Sequence, residues 1–388
     1  MMTPTWLRWM PAVAVPAVIA AGVLAGSVPA SARDPLPGKT PAQVLAMIAQ
    51  HSTKALSGTV EQTSELGLPD VPQVGPSSGP AAGSMADLLS GPHSARVYVD
   101  GPAKVRVQVM DRLAERDAVR QGNEVWLYNS KDNTATHLTL PGTASGKTDS
   151  GSRMPGSVAT PEELAARMLE KVDASTDVAV RGDVDVAGRA AYNLVLTPRS
   201  QGTLVESVAV AVDGESGLPL SVEVRARGQQ EPAFRTAFTS LQLGAPDAAL
   251  FNFTPPPGAT VKEQAVPRSG FGKRDLGEHA KGTAGAGKNE QGKLDKDRKT
   301  PAAAGRAPSV TGSGWEAVVG FPARAGAAGA VGPSADTLLN DPLLRQAAVA
   351  VSGGRAISTS LLNVLLTDDG RIFVGSVPLE RLQAAAAR

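Results

Sequence analysis

Alternation with a period of two dominates this chain. Arg96-Val97-Tyr98-Val99, Lys104 to Val109, Glu124-Val125-Trp126-Leu127-Tyr128 and Ala135 to Leu140 alternate apolar residues with polar ones. Turn-forming stretches at Asp100-Gly101-Pro102, Gln121-Gly122-Asn123 and Asn129 to Asn133 separate them. The pattern resumes over Asp177 to Val186, Ala190 to Thr197, Leu204 to Val212, Leu218 to Ala226, Ala233 to Leu243 and a short Leu250 to Phe253. With Ser57 to Glu65, this predicts about eleven strands joined by short turns. Such neighbours must be antiparallel, because parallel ones need a long crossover.

Helical periodicity is confined to a few places. Thr40-Pro41 is a helix start, with Thr as N-cap and Pro at the first helical position. Val44, Leu45, Ile48 and Ala49 then share a face, up to about Ala55. Thr160-Pro161-Glu162-Glu163 repeats the device with an acidic first turn, followed by Leu164, Met168 and Leu169. The expected fold class is therefore α+β: one large curved antiparallel sheet with helices on its concave face. Two helices are a thin cover for so many Val-rich strands. Either the sheet closes on itself, or part of its apolar face is left for a ligand to fill.

Composition narrows the chemistry. The 388 residues include no Cys, which excludes disulfides, thiolate metal sites, a cysteine nucleophile and a lipidated cysteine. The net charge of +1 supplies no field that would steer nucleic acid. His51, His93, His137 and His279 lie far apart, none at helical metal-pair spacing, and no cofactor is implied. Aromatics make up only 4%, so the core must come from Val, Leu and Ala.

Residues 1–32 read as an export signal. Arg8 supplies a positive start, Pro11 to Gly26 is uncharged and mostly apolar, and Ala30-Ser31-Ala32 suits signal peptidase. The alternative is an uncleaved anchor. At about 1.5 Å per residue, that apolar stretch spans only about 24 Å of a roughly 30 Å hydrocarbon core.

Two motifs carry a family resemblance. Val210-Ala-Val-Asp213-Gly-Glu-Ser-Gly217-Leu-Pro-Leu-Ser-Val-Glu-Val-Arg-Ala226 resembles a recurring hairpin of LolA-type carriers and their RseB-like relatives. Phe251-Asn252-Phe253-Thr254-Pro255-Pro256-Pro257-Gly258-Ala259 is similar to the stretch that closes that fold, and the early helix running into Ser57-Gly58-Thr59-Val60 also fits. The resemblance covers about residues 40–261. It implies an unclosed half-barrel enclosing an apolar cavity for the acyl chains of lipids or lipoproteins, and no enzymatic activity. The Ala-, Gly- and Arg-rich composition points to a high-GC, actinobacterial-type member, in which the cargo and its route would differ.

Residues 262–310 hold 11 Lys/Arg against 6 Asp/Glu, a net +5, with little apolar pattern. They are expected to be a disordered basic linker, solvated or attracted to an anionic membrane surface. Residues 311–388 form a small C-terminal α+β piece. There Trp315 to Val319 resumes order, and Leu338 to Val349 is helical in pattern. Ile357 to Leu366 and Arg371 to Val377 form a hairpin, and Pro378 to Ala386 closes with a helix. A large domain followed by a smaller one also resembles RseB-type regulators. That implies the alternative role of an extracytoplasmic sensor subunit with a single-pass membrane partner.

Apparent catalytic motifs dissolve on inspection. Gly75-Pro76-Ser77-Ser78-Gly79 lacks the strand and helix that a nucleophile elbow needs. Gly282 to Asn289 has Asn where a P-loop places Ser or Thr. Arg181-Gly182-Asp183 copies an adhesion tripeptide at a strand start, and Asp183 with Asp185 reads as a wet strand face. His51 ends a helix, and His137 alternates with Thr in a strand; both read as structural. Ligand contact is better sought elsewhere. Trp126 and Tyr128 share one strand face, as core or as ligand contacts. Leu68, Met85, Leu88 and Leu89 belong to a Pro/Gly-rich excursion from Leu66 to Leu89 that is long for a loop. That excursion is a lid over the concave face, part of the core, or disordered.

Overall fold

The computed structural model describes residues 35–67, 92–110, 115–140, 159–170, 172–265, 308–323 and 346–388. The export signal, the excursion bearing Leu68, Met85, Leu88 and Leu89, the two glycine-rich motifs and linker positions 266–307 lie outside the described residues.

Both expected helix starts are present. Helix α1, Pro41–Gln50, opens with a reciprocal box: Gln43 N donates to Thr40 Oγ1 at 3.3 Å, and Thr40 N donates to Gln43 Oε1 at 2.8 Å. Helix α2, Pro161–Leu169, repeats it with Thr160 and Glu163. The first helix stops at Gln50, short of Ala55, because the strand that follows already begins at Ala55.

Twelve strands form one open mixed sheet. In chain order they are β1 Ala55–Ser64, β2 His93–Asp100, β3 Lys104–Met110, β4 Glu115–Gln121, β5 Glu124–Asn129 and β6 Thr134–Thr139. After α2 come β7 Thr176–Val186, β8 Arg189–Pro198, β9 Val205–Asp213, β10 Pro219–Ala226, β11 Phe234–Leu243 and β12 Thr260–Ala265. Their spatial order is β12-β6-β5-β4-β3-β2-β1-β11-β10-β9-β8-β7. The outer strands β12 and β7 do not pair with each other, so the sheet is unclosed. It is also bent. Strands β7 and β11 stand four places apart, about 19 Å in a flat sheet at about 4.8 Å per strand, yet parts of them approach within 8 Å (Cα–Cα).

Three differences from the sequence reading have physical causes. Leu250 to Phe253 is not a strand; Ala248–Phe251 is a single 3-10 turn capped by the Asp247 carboxylate. Glu115–Gln121 is a strand although its sequence is mostly charged, because Asp117 is paired across the sheet. The last strand, β12, which no alternation marked, runs parallel to β6. Parallel pairing is available to it because the chain crosses six strands of the sheet between β11 and β12.

One face of β1–β3 contributes Leu56, Val60, Val97, Val107 and Val109 to an apolar core, which Phe238, Leu218, Leu220 and Val186 complete. The turn between β9 and β10 is built on Asp213, which is 1% exposed. Its carboxylate accepts from Arg189 Nε at 2.7 Å and from Ser216 N at 2.8 Å. Burial alone would raise its pKa; the Arg189 and Ser216 hydrogen bonds outweigh that and hold it below the usual carboxylate value. Gly217 then turns the chain at φ +76° directly against α1: a Cβ there would stand 2.6 Å from the Met47 carbonyl oxygen.

A second sheet follows: β13 Ser309–Thr311, β14 Val318–Phe321, β15 Val349–Val351, β16 Gly354–Ser358, β17 Asn363–Thr367 and β18 Ile372–Gly375. Its order is β13-β14-β18-β17-β16-β15. The expected single strand Ile357 to Leu366 is two, because Thr359 folds the chain back through hydrogen bonds from Leu361 N and Leu362 N to its hydroxyl. Val349 opens a strand rather than ending a helix. Helix α3, Leu379–Ala386, packs Leu382 and Ala385 on Val318, Leu365 and Phe373. Polar bonds dock this sheet on the larger one. Trp315 Nε1 donates to Thr176 Oγ1 at 2.8 Å, Leu204 N donates to Ser376 O at 2.8 Å, and Glu316 takes Ser200 Oγ and Arg381 together.

The Gly217 contact is testable against a glycine of similar backbone. Gly188 has φ +73° with nothing near its absent Cβ. Gly188→Ala should cost about 1–2 kcal/mol from left-handed strain alone. Gly217→Ala should cost measurably more in urea denaturation, because α1 must also move; equal losses would show that α1 is not seated on this turn.

Candidate ligand-binding site

From β11 the chain crosses the sheet as a strap, residues 244–259, before joining β6 as β12. Pairing registers place Tyr98, Arg106, Asp117, Val119, Trp126 and His137 on one face of β2–β6. It is the face opposite Val97 and Val107, and the strap runs over it. Arg106 fastens the strap midway: Nη1 donates to the Leu250 carbonyl at 2.9 Å, while Nε and Nη2 grip Asp117 at 3.2 and 2.6 Å. Asp117 is 5% exposed, and its burial raises the carboxyl pKa by more than Arg106 lowers it. Further along, Gln121 Nε2 donates to Asn252 Oδ1 at 3.2 Å.

Beneath the strap the aromatic side chains meet. Trp126 lies 5.4 Å and Tyr128 6.0 Å from the Phe253 ring, centroid to centroid, and Phe251 is buried. Tyr128 donates its hydroxyl to Asn133 Oδ1 at 3.1 Å. A cavity of about 210 Å³ opens here, walled by Val119, Trp126, Phe251 and Phe253, with Gln121, Asn252 and Glu124 contributing polar atoms. A wider one of about 420 Å³ lies where the strap begins, between Tyr98, Leu243, Pro246 and Leu250.

His137 organises the far edge. Its ring stacks on Trp126 at 4.2 Å and 12°. Nδ1 faces Glu263 of β12 at 2.9 Å, and Nε2 faces Glu124 of β5. Burial lowers the pKa of the imidazole, but the hydrogen bonds and charges of Glu263 and Glu124 outweigh it and hold the pKa above the ordinary 6.5. These are its charged neighbours among the described residues. No group of three or more His, Asp or Glu among them is arranged to hold a metal ion.

Of the six residues singled out in the sequence, Trp126 and Tyr128 lie in this site, and Leu68, Met85, Leu88 and Leu89 fall outside the described residues. The sequence reading missed His137, Glu124 and Glu263 as a cluster. Phe251 and Phe253 stood in a recognised motif, but nothing in it indicated the face they would cover.

MucB of Pseudomonas aeruginosa, in its complex with MucA, aligns over 89% of this chain and 96% of its own, at 17% identity and TM-score 0.39. An uncharacterised conserved protein from Thermus thermophilus covers 57% of this chain and 98% of its own, at 15% identity and TM-score 0.33. A LolA superfamily protein from Nitrosomonas europaea covers 56% and 99%, at 11% identity and TM-score 0.22. No protein-family profile matches the sequence, and no characterised protein matches it by sequence.

The His137 cluster has a clear pH signature. A raised folded pKa means that the bridge stabilises β12 fully below about pH 6.5, the unfolded value, and loses that contribution as pH rises through the folded value. NMR titration should place His137 above 6.5. Glu263→Gln and Glu124→Gln should each bring it down; an unmoved titration in both variants would show that the bridge does not form in solution.

Proposed function

We propose that this protein is an exported, extracytoplasmic, non-enzymatic binding protein that holds the acyl chains of a lipid or lipoprotein. The carrying observation is the open twelve-stranded sheet, bent yet unclosed, with helices of only ten and nine residues for cover. An apolar sheet face of that extent needs more cover than two short helices supply. The LolA-like hairpin and Phe-Asn-Phe-Thr-Pro-Pro motifs quoted above support the same reading. Leu68, Met85, Leu88 and Leu89 are proposed as the apolar lid of the acyl site. The excursion that carries them starts from a firm anchor: Leu66 packs on Ala226, Ala233 and Leu361. Domain limits at 40–261 and 311–388, with a basic tether between, belong to this proposal, as does removal of residues 1–32. No helix among the described residues is long and apolar enough to cross a membrane.

Lipid extraction and native mass spectrometry of protein from its own host should find acyl species, and the purified protein should bind a fluorescent fatty-acid probe. Leu88→Asp or Leu89→Asp should weaken probe binding while leaving circular dichroism and melting nearly unchanged, since a lid residue adds little to the core. A buried core leucine would cost about 2–5 kcal/mol on truncation. Absence of acyl species together with no probe binding would end the reading.

A second reading, a sensor subunit for a single-pass membrane partner, draws on the docking of the second sheet. Trp315, Ser376 and Glu316 bind it to β7 and the β8–β9 connection, as a two-part recognition surface requires. Pull-down from solubilised membranes should recover one stoichiometric partner, and repeated failure to do so counts against it.

A further inference from the structure

The chain has 4 Trp, 3 Tyr and 7 Phe, and four of these aromatics converge under the strap. The main core does not need them there: it is built from Val, Leu and Ala with Phe238, on the opposite face of β1–β3. Four of the fourteen rings thus stand apart from that core, three of them at the cavity.

Size and charge together define the ligand. The cavity of about 210 Å³ is smaller than the roughly 300–1,000 Å³ typical of drug-sized ligands, so it suits a small group. Its charged edge is negative. Glu124 and Glu263 share the single imidazole of His137, which leaves at least one carboxylate charge uncompensated. The cations on that face of β3, Lys104 and Arg106, are matched by Asp100 and Asp117. Arg120 sits on the other face, opposite Val125. On the rim, Gln121 Nε2 donates to Asn252 Oδ1. An anion would meet the carboxylates of Glu124 and Glu263 there. A cation that needs aromatic walls and negative charge but no hydrogen bonds would find both.

We propose that this cavity binds a small organic cation of the quaternary ammonium class, recognised by Trp126, Phe253 and the carboxylate of Glu124, with buried Phe251 as backing. The site is on the face opposite the apolar core of β1–β3, and the proposal does not rest on the acyl-chain reading; either can fail without the other. The stacking of His137 on Trp126 couples ligand to proton. A neutral imidazole leaves two carboxylate charges at the edge instead of one, so cation affinity should rise as pH increases through the His137 titration. By reciprocity, bound cation should lower the pKa of His137.

Two sources share this chemistry, a free solute and a lipid headgroup. Calorimetric titration of the full chain with choline and with tetramethylammonium should show saturable binding in or below the millimolar range. The neutral isostere 3,3-dimethylbutanol, of the same shape without the charge, should not compete. Flotation with phosphatidylcholine vesicles, against phosphatidylglycerol vesicles as control, then separates the sources: choline-sensitive flotation assigns a headgroup, and its absence assigns a solute. Phe253→Leu keeps apolar volume but removes the ring, and should weaken binding by about tenfold at unchanged melting temperature. Glu124→Gln should weaken it and flatten its pH dependence. Binding of choline and the neutral isostere with equal strength, no binding of either cation, or full affinity in Phe253→Leu would each overturn the proposal.

Discussion

The antiparallel pairing of β1 with β11 holds the large sheet together. Strands β1 to β6 form one meander and β7 to β11 another, each of which could hydrogen-bond without the other. They become one sheet only where Leu56 faces Leu243 and Ser64 faces Phe234, across about 180 residues of chain. Local chemistry makes this seam possible. Gly58 has no Cβ, and a Cβ there would stand 2.4 Å from the Ser240 carbonyl and 3.0 Å from the Phe238 ring. A register shift between Thr59 and Val60 then lets Val60 meet Phe238 in the core.

The candidate site follows from that seam. Because β11 pairs with β1 in the middle of the sheet, the chain leaving β11 has six strands to one side of it, and the strap must cross them to reach β6. The crossing brings Phe251 and Phe253 over Trp126 and Tyr128 and delivers Glu263 to His137. It also explains why a strand as polar as β4 belongs in the sheet. Asp117 is buried by the strap and is tolerated there because Arg106 binds it with two nitrogens and the strap carbonyl with the third. Breaking that pair would leave a buried charge alone and release the strap together.

The two faces of the large sheet therefore serve different ends. One carries the aliphatic core, helical cover and the apolar surface on which the acyl-chain reading rests. The other carries aromatic and charged residues that contribute little to that core. On the two proposals above, such a fold has room for two unlike ligands, with the strap and the β12 edge as the element that both the His137 proton and a bound cation would touch.

Much of this architecture was legible in the sequence. Alternation marked most strands, Thr-Pro pairs marked both helix starts, and the Asp213 to Pro219 turn marked a hairpin, because each depends on neighbours a few residues away. What the sequence left open depends on distant neighbours. Glu115–Gln121 reads as solvated charge until Arg106 is known to lie opposite Asp117. Leu250 to Phe253 reads as a strand until its residues are seen capped and draped across β3 and β4. Trp126 and Tyr128 could be singled out by their shared face. His137 and Glu263 are 126 residues apart, and no spacing rule links them. Local hydrogen bonding and period are written residue by residue, so the sequence alone determined the elements and their class. Which strands meet, which face the strap covers and which charges share one imidazole are decided only when the chain closes on itself in three dimensions.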